Sequence, residues 1–164
     1  MGVDLHMAIV KNNIVIDKDI FPGRNSEWFG QLTGNGRTKE EYEYLTMNYN
    51  WKEDLVPAEL LNEFKEEDGY YGFRMIKVSV FTEWYRQYRP DLDAGWVTKY
   101  EAWLYKTKRI EPESICHNLA CMDHDPKDVE FIEVANKYDC SKWLYDYLYD
   151  NKIMDGYIVF CFDC

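Results

Sequence analysis

The stretch GVDLHMAIVKNNIVID, Gly2 to Asp17, decides the fold class. Val3 to Val10 reads as a strand and IVID as a second one. Between them "KNN" supplies Asn12 and Asn13, residues that tolerate the left-handed backbone of a tight two-residue turn. The pattern predicts a β-hairpin. It also raises a chemical question, because an apolar strand holds an acid and an imidazole, Asp4 and His6. Side chains two apart on a strand share a face, so Asp4 and His6 are expected to point with Ala8 and Val10, and Val3, Leu5, Met7 and Ile9 the other way.

Working outward, the far end of the chain answers the hairpin with another strand, YIVFCFDC, after a turn at Asp155 and Gly156. Tyr157, Val159, Cys161 and Asp163 share one of its faces. Strands at the two ends of a chain often pair, which would bring Asp163 and Cys161 to Asp4 and His6. Between the ends, helices are expected where apolar residues recur at helical spacing. Asn25 or Ser26 would cap a short one carrying Trp28, Phe29 and Leu32, and RTKEEYEYL adds a helical turn. VPAELLNEFKEED starts at Pro57 and buries Leu60, Leu61 and Phe64. FTEWYRQY stops at Pro90. TKYEAWLYKTK opens with a Thr98–Glu101 capping box and places Tyr100, Trp103 and Leu104 on one face. DCSKWLYDYLYDNK, capped by Asp139 or Ser141, buries Trp143, Leu144, Tyr147 and Leu148. Gly69 and Gly72 frame a loop, FRMIKVSV reads as a strand, DLDAGW as a turn, and EPESICHNLACMDHDP as a long irregular segment. The chain, 1–164, is read as a single α+β domain. Its sheet is small and mainly antiparallel, built from the N-terminal hairpin and the C-terminal strand, and four to five short helices pack it.

Composition bounds the function. The 164 residues are 46% hydrophobic and 17% aromatic, with 14 tyrosines and 6 tryptophans, enough for a packed core and for amphipathic interface rings. The net charge of −11 opposes phosphate backbones, so nucleic acid is not an expected partner. The acidity serves solubility, or it meets a basic partner. Five cysteines, an odd number, with no leader pattern and no apolar run long enough to span a bilayer, point to a reduced, cytoplasmic setting without a membrane.

Three short anchors, GVDLH, GRNSEWF and IVFCFDC, resemble a family of small uncharacterised proteins of tailed phages and prophages. Members open with Gly-Cys-Asp-Ile-His, carry Arg-Asn or Arg-Asp before a short aromatic helix, and close with a Val-Phe-Trp-Phe-Asp-like strand. Here Val3 stands for the cysteine and Cys161 for the tryptophan. The middle of the chain matches poorly, and FRMIKVSVF occupies the place of a His-Ser-x-Ser-Trp-Leu segment. The resemblance implies a phage or prophage origin, hence the host cytoplasm, and implies no activity. Asp4, His6, Arg24, Asn25 and Asp163 fall on its anchors.

The candidate site is therefore Asp4, His6, Arg24, Asn25, Trp28 and Asp163. Arg24 and Asn25 before a helix suit an anion, and Trp28 would wall a cleft in which these side chains converge. The plainer alternatives are a helix cap at Asn25 and an Asp–His hydrogen bond inside the sheet. A metallophosphoesterase begins with Asp-x-His, but three histidines are few for a two-metal site. Cys121-x-x-His124 and Cys161-x-x-Cys164 have zinc-knuckle spacing without the usual glycines. No catalytic residue, cofactor or metal is assigned. The expected function is an accessory protein that binds a host protein or a small, nucleotide-like anion, alone or as a homo-oligomer, with antagonism of host defence as its role. The alternatives are a metal-dependent phosphoester or nucleotide hydrolase using Asp4 and His6, and a small structural zinc module.

Overall fold

The computed structural model describes residues 4–18, 20, 40, 43–44, 47–66, 69–136 and 141–163, with the backbone alone at Asp4 and Asp163. The fold is α+β. Contacts group the chain into two compact units, Met1–Arg89 with Tyr138–Cys164, and Pro90–Lys137.

The first unit grows from the hairpin. β1 (Asp4–Lys11) and β2 (Ile14–Lys18) pair antiparallel across a two-residue turn, with Asn12 and Asn13 at φ 52° and 59°. The register slips once: Ile9 faces Asp17 while Val10 faces Val15, which leaves Ile16 as the extra residue of a bulge. β6 (Tyr157–Asp163) runs antiparallel along the other side of β1, from Asp4 opposite Asp163 to Val10 opposite Tyr157. The expected pairing of the two chain ends is present. β3 (Tyr71–Lys77) adds to β6, which gives the order β2-β1-β6-β3.

Alternation splits this sheet into two faces. Leu5, Met7, Ile9, Ile76, Ile158, Phe160 and Phe162 pack against α2 (Val78–Tyr88) and α4 (Ser141–Asp150) through Val78, Phe81, Trp84, Tyr85, Leu144 and Leu148. Ala8, Val10, Met75, Val159 and Cys161 pack against Val56 and the Leu60 and Phe64 stripe of α1 (Ala58–Glu66), with Leu61 partly buried beside them. A sheet covered on both sides needs strands that are apolar on both sides, as β1 and β6 are.

Several expectations are corrected. FRMIKVSV is not one strand: α2 begins at Val78, and Val78, Phe81, Trp84 and Tyr85 form one buried helical stripe. Two β-branched valines near a strand masked that period. Tyr71 and Gly72 belong to β3, not to a loop. Gly72 sits at a register shift with φ 67°, and a Cβ there would lie 2.8 Å from the Phe162 ring. On α4, Leu144 and Leu148 are buried as expected, Tyr147 is half-buried and Trp143 is exposed. Residues 40, 43, 44 and 47 are helical, in line with the turn expected there. The helix expected after Asn25, and the cap at Asp139, lie outside the described residues.

The second unit pairs β4 (Leu92–Thr98) antiparallel with β5 (Val129–Ala135), and α3 (Lys99–Lys108) supplies its helix. Its core is Val97, Ala102, Ile132 and Val134. The Thr98–Glu101 capping box is present: the Glu101 amide donates to Thr98 Oγ1 at 3.2 Å, and the Thr98 amide donates to Glu101 Oε2 at 2.9 Å. DLDAGW is a strand rather than a turn. Asp, Ala and Gly are weak strand formers, yet Gly95 is needed because residues 115 and 116 press on it, leaving 2.2 Å between a Cβ and Ile115 Cγ2. On α3 the buried residue is Ala102, while Tyr100 and Trp103 are exposed.

Candidate functional site

Pairing β1 with β6 sets His6 opposite Cys161 and Asp4 opposite Asp163. This is the neighbourhood expected from the two strands. His6 is half-buried on the α1 side of the sheet. Its ring stacks on Tyr70, with centroids 4.5 Å apart and planes 26° apart, and Tyr70 Oη lies 3.3 Å from Nδ1. Phe64 of α1 meets Tyr70 edge-on. The space beside His6, bounded by Lys18, Leu60, Glu63, Phe64 and Tyr70, is about 20 Å³, room for one water. Cys161 is fully buried in the sheet beside Val159 and Ala8.

The ring that walls His6 is thus Tyr70, which the sequence reading missed as a ligand-side residue. Its only signal was an aromatic pair framed by Gly69 and Gly72. Arg24, Asn25, Trp28 and Cys164 lie outside the described residues, as do the side chains of Asp4 and Asp163.

Next to this small pocket lies a more open groove of about 370 Å³ between β2 and α1. Val15, Ile16 and Leu60 form its apolar part; Glu59 and Glu63 set two carboxylates against the ammonium of Lys18. Lys18 Nζ reaches Glu63 Oε2 at 3.4 Å, a half-exposed pair of small energetic weight. On the other side of β2, the Tyr147 hydroxyl donates to Asp17. Burial, then that hydrogen bond and the Asp17 charge, push the Tyr147 phenol up to about 12.

The second unit holds an open cleft of about 560 Å³, lined by Trp96, Glu101, Cys116, Cys121, Asp123 and His124 among others. Two zinc candidates, Cys121 and His124, therefore share a cleft. Cys161 is core of the first unit. Cys116 Sγ donates to the Asn118 carbonyl at 3.0 Å. Among the described residues no three His, Cys, Asp or Glu side chains gather closely enough to hold a metal ion. Nor is any described helix long and apolar enough to cross a membrane.

The chain matches no protein-family model, no curated protein and no solved structure.

Proposed function

We propose that this chain is a phage-encoded accessory protein that works by binding a basic host protein in the host cytoplasm, with antagonism of a host defence as its role. The resemblance of its two ends to the phage family supports the origin. The setting of His6 carries the choice of binding over catalysis. The imidazole is stacked on one tyrosine, lies within hydrogen-bond reach of its hydroxyl, and borders about 20 Å³ of space. Ligand sites for nucleotide-sized molecules measure roughly 300–1,000 Å³. A side chain held this way acts as part of the packing between sheet and helix. The net charge of −11 selects the partner's sign and speeds encounter with a basic surface. The exposed rings of Tyr100, Trp103, Phe131 and Trp143 supply the residue types that protein interfaces favour.

Two measurements test this reading. Purified protein is expected to associate with a cationic host protein in a stoichiometric complex that weakens as salt rises. It is also expected to show no phosphoester turnover with added Mn²⁺ or Mg²⁺. Turnover that His6→Ala abolishes, in a variant with an unchanged melt, would instead establish the hydrolase.

A further inference from the structure

The two edges of the four-stranded sheet are finished differently. On the β3 edge, Asn50 bridges Met75: its amide donates to the Met75 carbonyl at 2.9 Å and its carbonyl accepts at 2.6 Å. On the β2 edge, among the described residues, no strand or bridge lies outside β2. In a two-residue hairpin the flanking residues Lys11 and Ile14 aim their backbone groups at each other, which turns the N–H and C=O of Val15 outward. Ile14 and Ile16 are 64% and 44% exposed along this edge. An edge with exposed isoleucines and no neighbour among the described residues is a template for a further strand.

Beside that edge runs the groove lined by Val15, Ile16 and Lys18 of β2 and by Glu59, Leu60 and Glu63 of α1. Glu59 and Glu63 are four apart, on one flank of the helix. A strand added to β2 would direct every second side chain toward this groove. Its apolar floor suits a methylene stem and its carboxylates suit a cationic head.

The geometry points to β2 as a docking edge for an extended basic segment of a partner protein. That segment pairs its backbone with Val15 and lays alternate lysines or arginines over Glu59 and Glu63. This inference rests on the proposed reading of the chain as a binder of a basic protein, and it names the surface used. Backbone pairing supplies affinity and the alternate side chains supply selectivity.

The probe is a short capped peptide of alternating lysine and valine, with its glutamate–valine counterpart as control. Calorimetry is expected to show binding of the lysine peptide alone. The double variant Glu59→Lys, Glu63→Lys should weaken it on the order of tenfold or more while melting normally. Amide exchange at Val15 should slow when the peptide is bound. Equal binding of both peptides, an unaffected double variant, or no added protection at Val15 overturns the proposal. So does a dimer of the free protein that Ile16→Lys dissociates, because the edge would then belong to a second copy. If the full chain still binds a cationic host protein in a salt-dependent way, such a failure removes this edge and leaves the wider reading intact. Failure of both removes both.

Discussion

The two units solve the same packing problem with different resources. In the first, a four-stranded sheet is covered on both faces, and Trp84, Phe160 and Phe162 are all at most 1% exposed. In the second, two strands and one helix enclose Val97, Ala102, Ile132 and Val134, none larger than isoleucine. A two-stranded ribbon is marginal by itself, and hydrophobic stabilisation scales with the apolar area removed from water. The first unit therefore rests on bulk burial. The second depends on local devices: a capping box, a glycine that admits close backbone approach, and the bridge between Trp96 and Cys116.

The largest way to break this contrast is to remove FCFDC, residues 160–164. Burial of Phe160 and Phe162 contributes roughly 3–5 kcal/mol each, against a total stability of about 5–15 kcal/mol for a domain. The deletion also takes four of the seven residues of β6, the strand between β1 and β3, and leaves only Tyr157–Val159 to join them. The truncated chain is expected to show no cooperative thermal transition by circular dichroism. A melt like that of the full chain would show that the sheet stands without the second half of its central strand β6.

A smaller change aims at the other unit. Gly95→Val places a branched side chain where a Cβ already lies 2.2 Å from Ile115 Cγ2 and 2.7 Å from the Cys116 carbonyl. Overpacking of this kind costs about 1–3 kcal/mol. Amides of residues 92–98 and 129–135 should exchange faster, while those of β1 and β6 keep their protection. Equal loss in both units would mean that they unfold as one, and the contrast drawn from their cores would not extend to their energetics.

Thr98→Ala removes the cap at the start of α3, where Thr98 Oγ1 accepts from the Glu101 amide. Loss of such a cap costs about 1 kcal/mol. The melting temperature of the second unit should fall by a few degrees, and Thr98→Ser should restore most of it.

The same contrast governs what could be read in the sequence. The first unit was legible where burial imposes a period: β1 and β6 are apolar on both faces, Asn12 and Asn13 mark the turn, and Leu60 and Phe64 mark α1. The start of α2 was lost because Val78 and Val80 suit a strand as well as a helix, and only packing chooses. In the second unit, β4 carries Asp93, Ala94 and Gly95, whose intrinsic preferences oppose a strand, and β5 was not distinguished from its irregular surroundings at all. Tertiary pairing between Leu92–Thr98 and Val129–Ala135 overrides those preferences. For the site, the meeting of Asp4 and His6 with Cys161 and Asp163 was legible only as a consequence of pairing the two terminal strands; the register that sets His6 opposite Cys161 is fixed by the sheet itself. Tyr70 was not, because a loop residue 64 positions away leaves no periodic trace.

The smallest expected effect probes how β2 is held to the rest of the first unit. Tyr147 of α4 donates to Asp17, and its phenol is raised to about 12 by burial, by that hydrogen bond and by the Asp17 charge. In the unfolded chain a tyrosine loses its proton near 10. Between about pH 10 and 12 the unfolded state thus holds fewer protons at this site than the folded state, so stability falls as the pH rises through that window. Below pH 10 the contribution is present in full. Tyr147→Phe keeps the ring and removes both the hydrogen bond and the titration. It should lower stability slightly at neutral pH, and the decline between pH 10 and 12 should be shallower than in the parent protein, because the other tyrosines and the lysines titrate in both. Chemical denaturation at pH 7, 10 and 12, compared for the two proteins, measures the difference. Identical slopes would mean that the Tyr147–Asp17 link does not persist in solution. β2 would then be held by its pairing with β1, the packing of Val15 and the Lys18–Glu63 pair, and would be a looser edge than its register suggests.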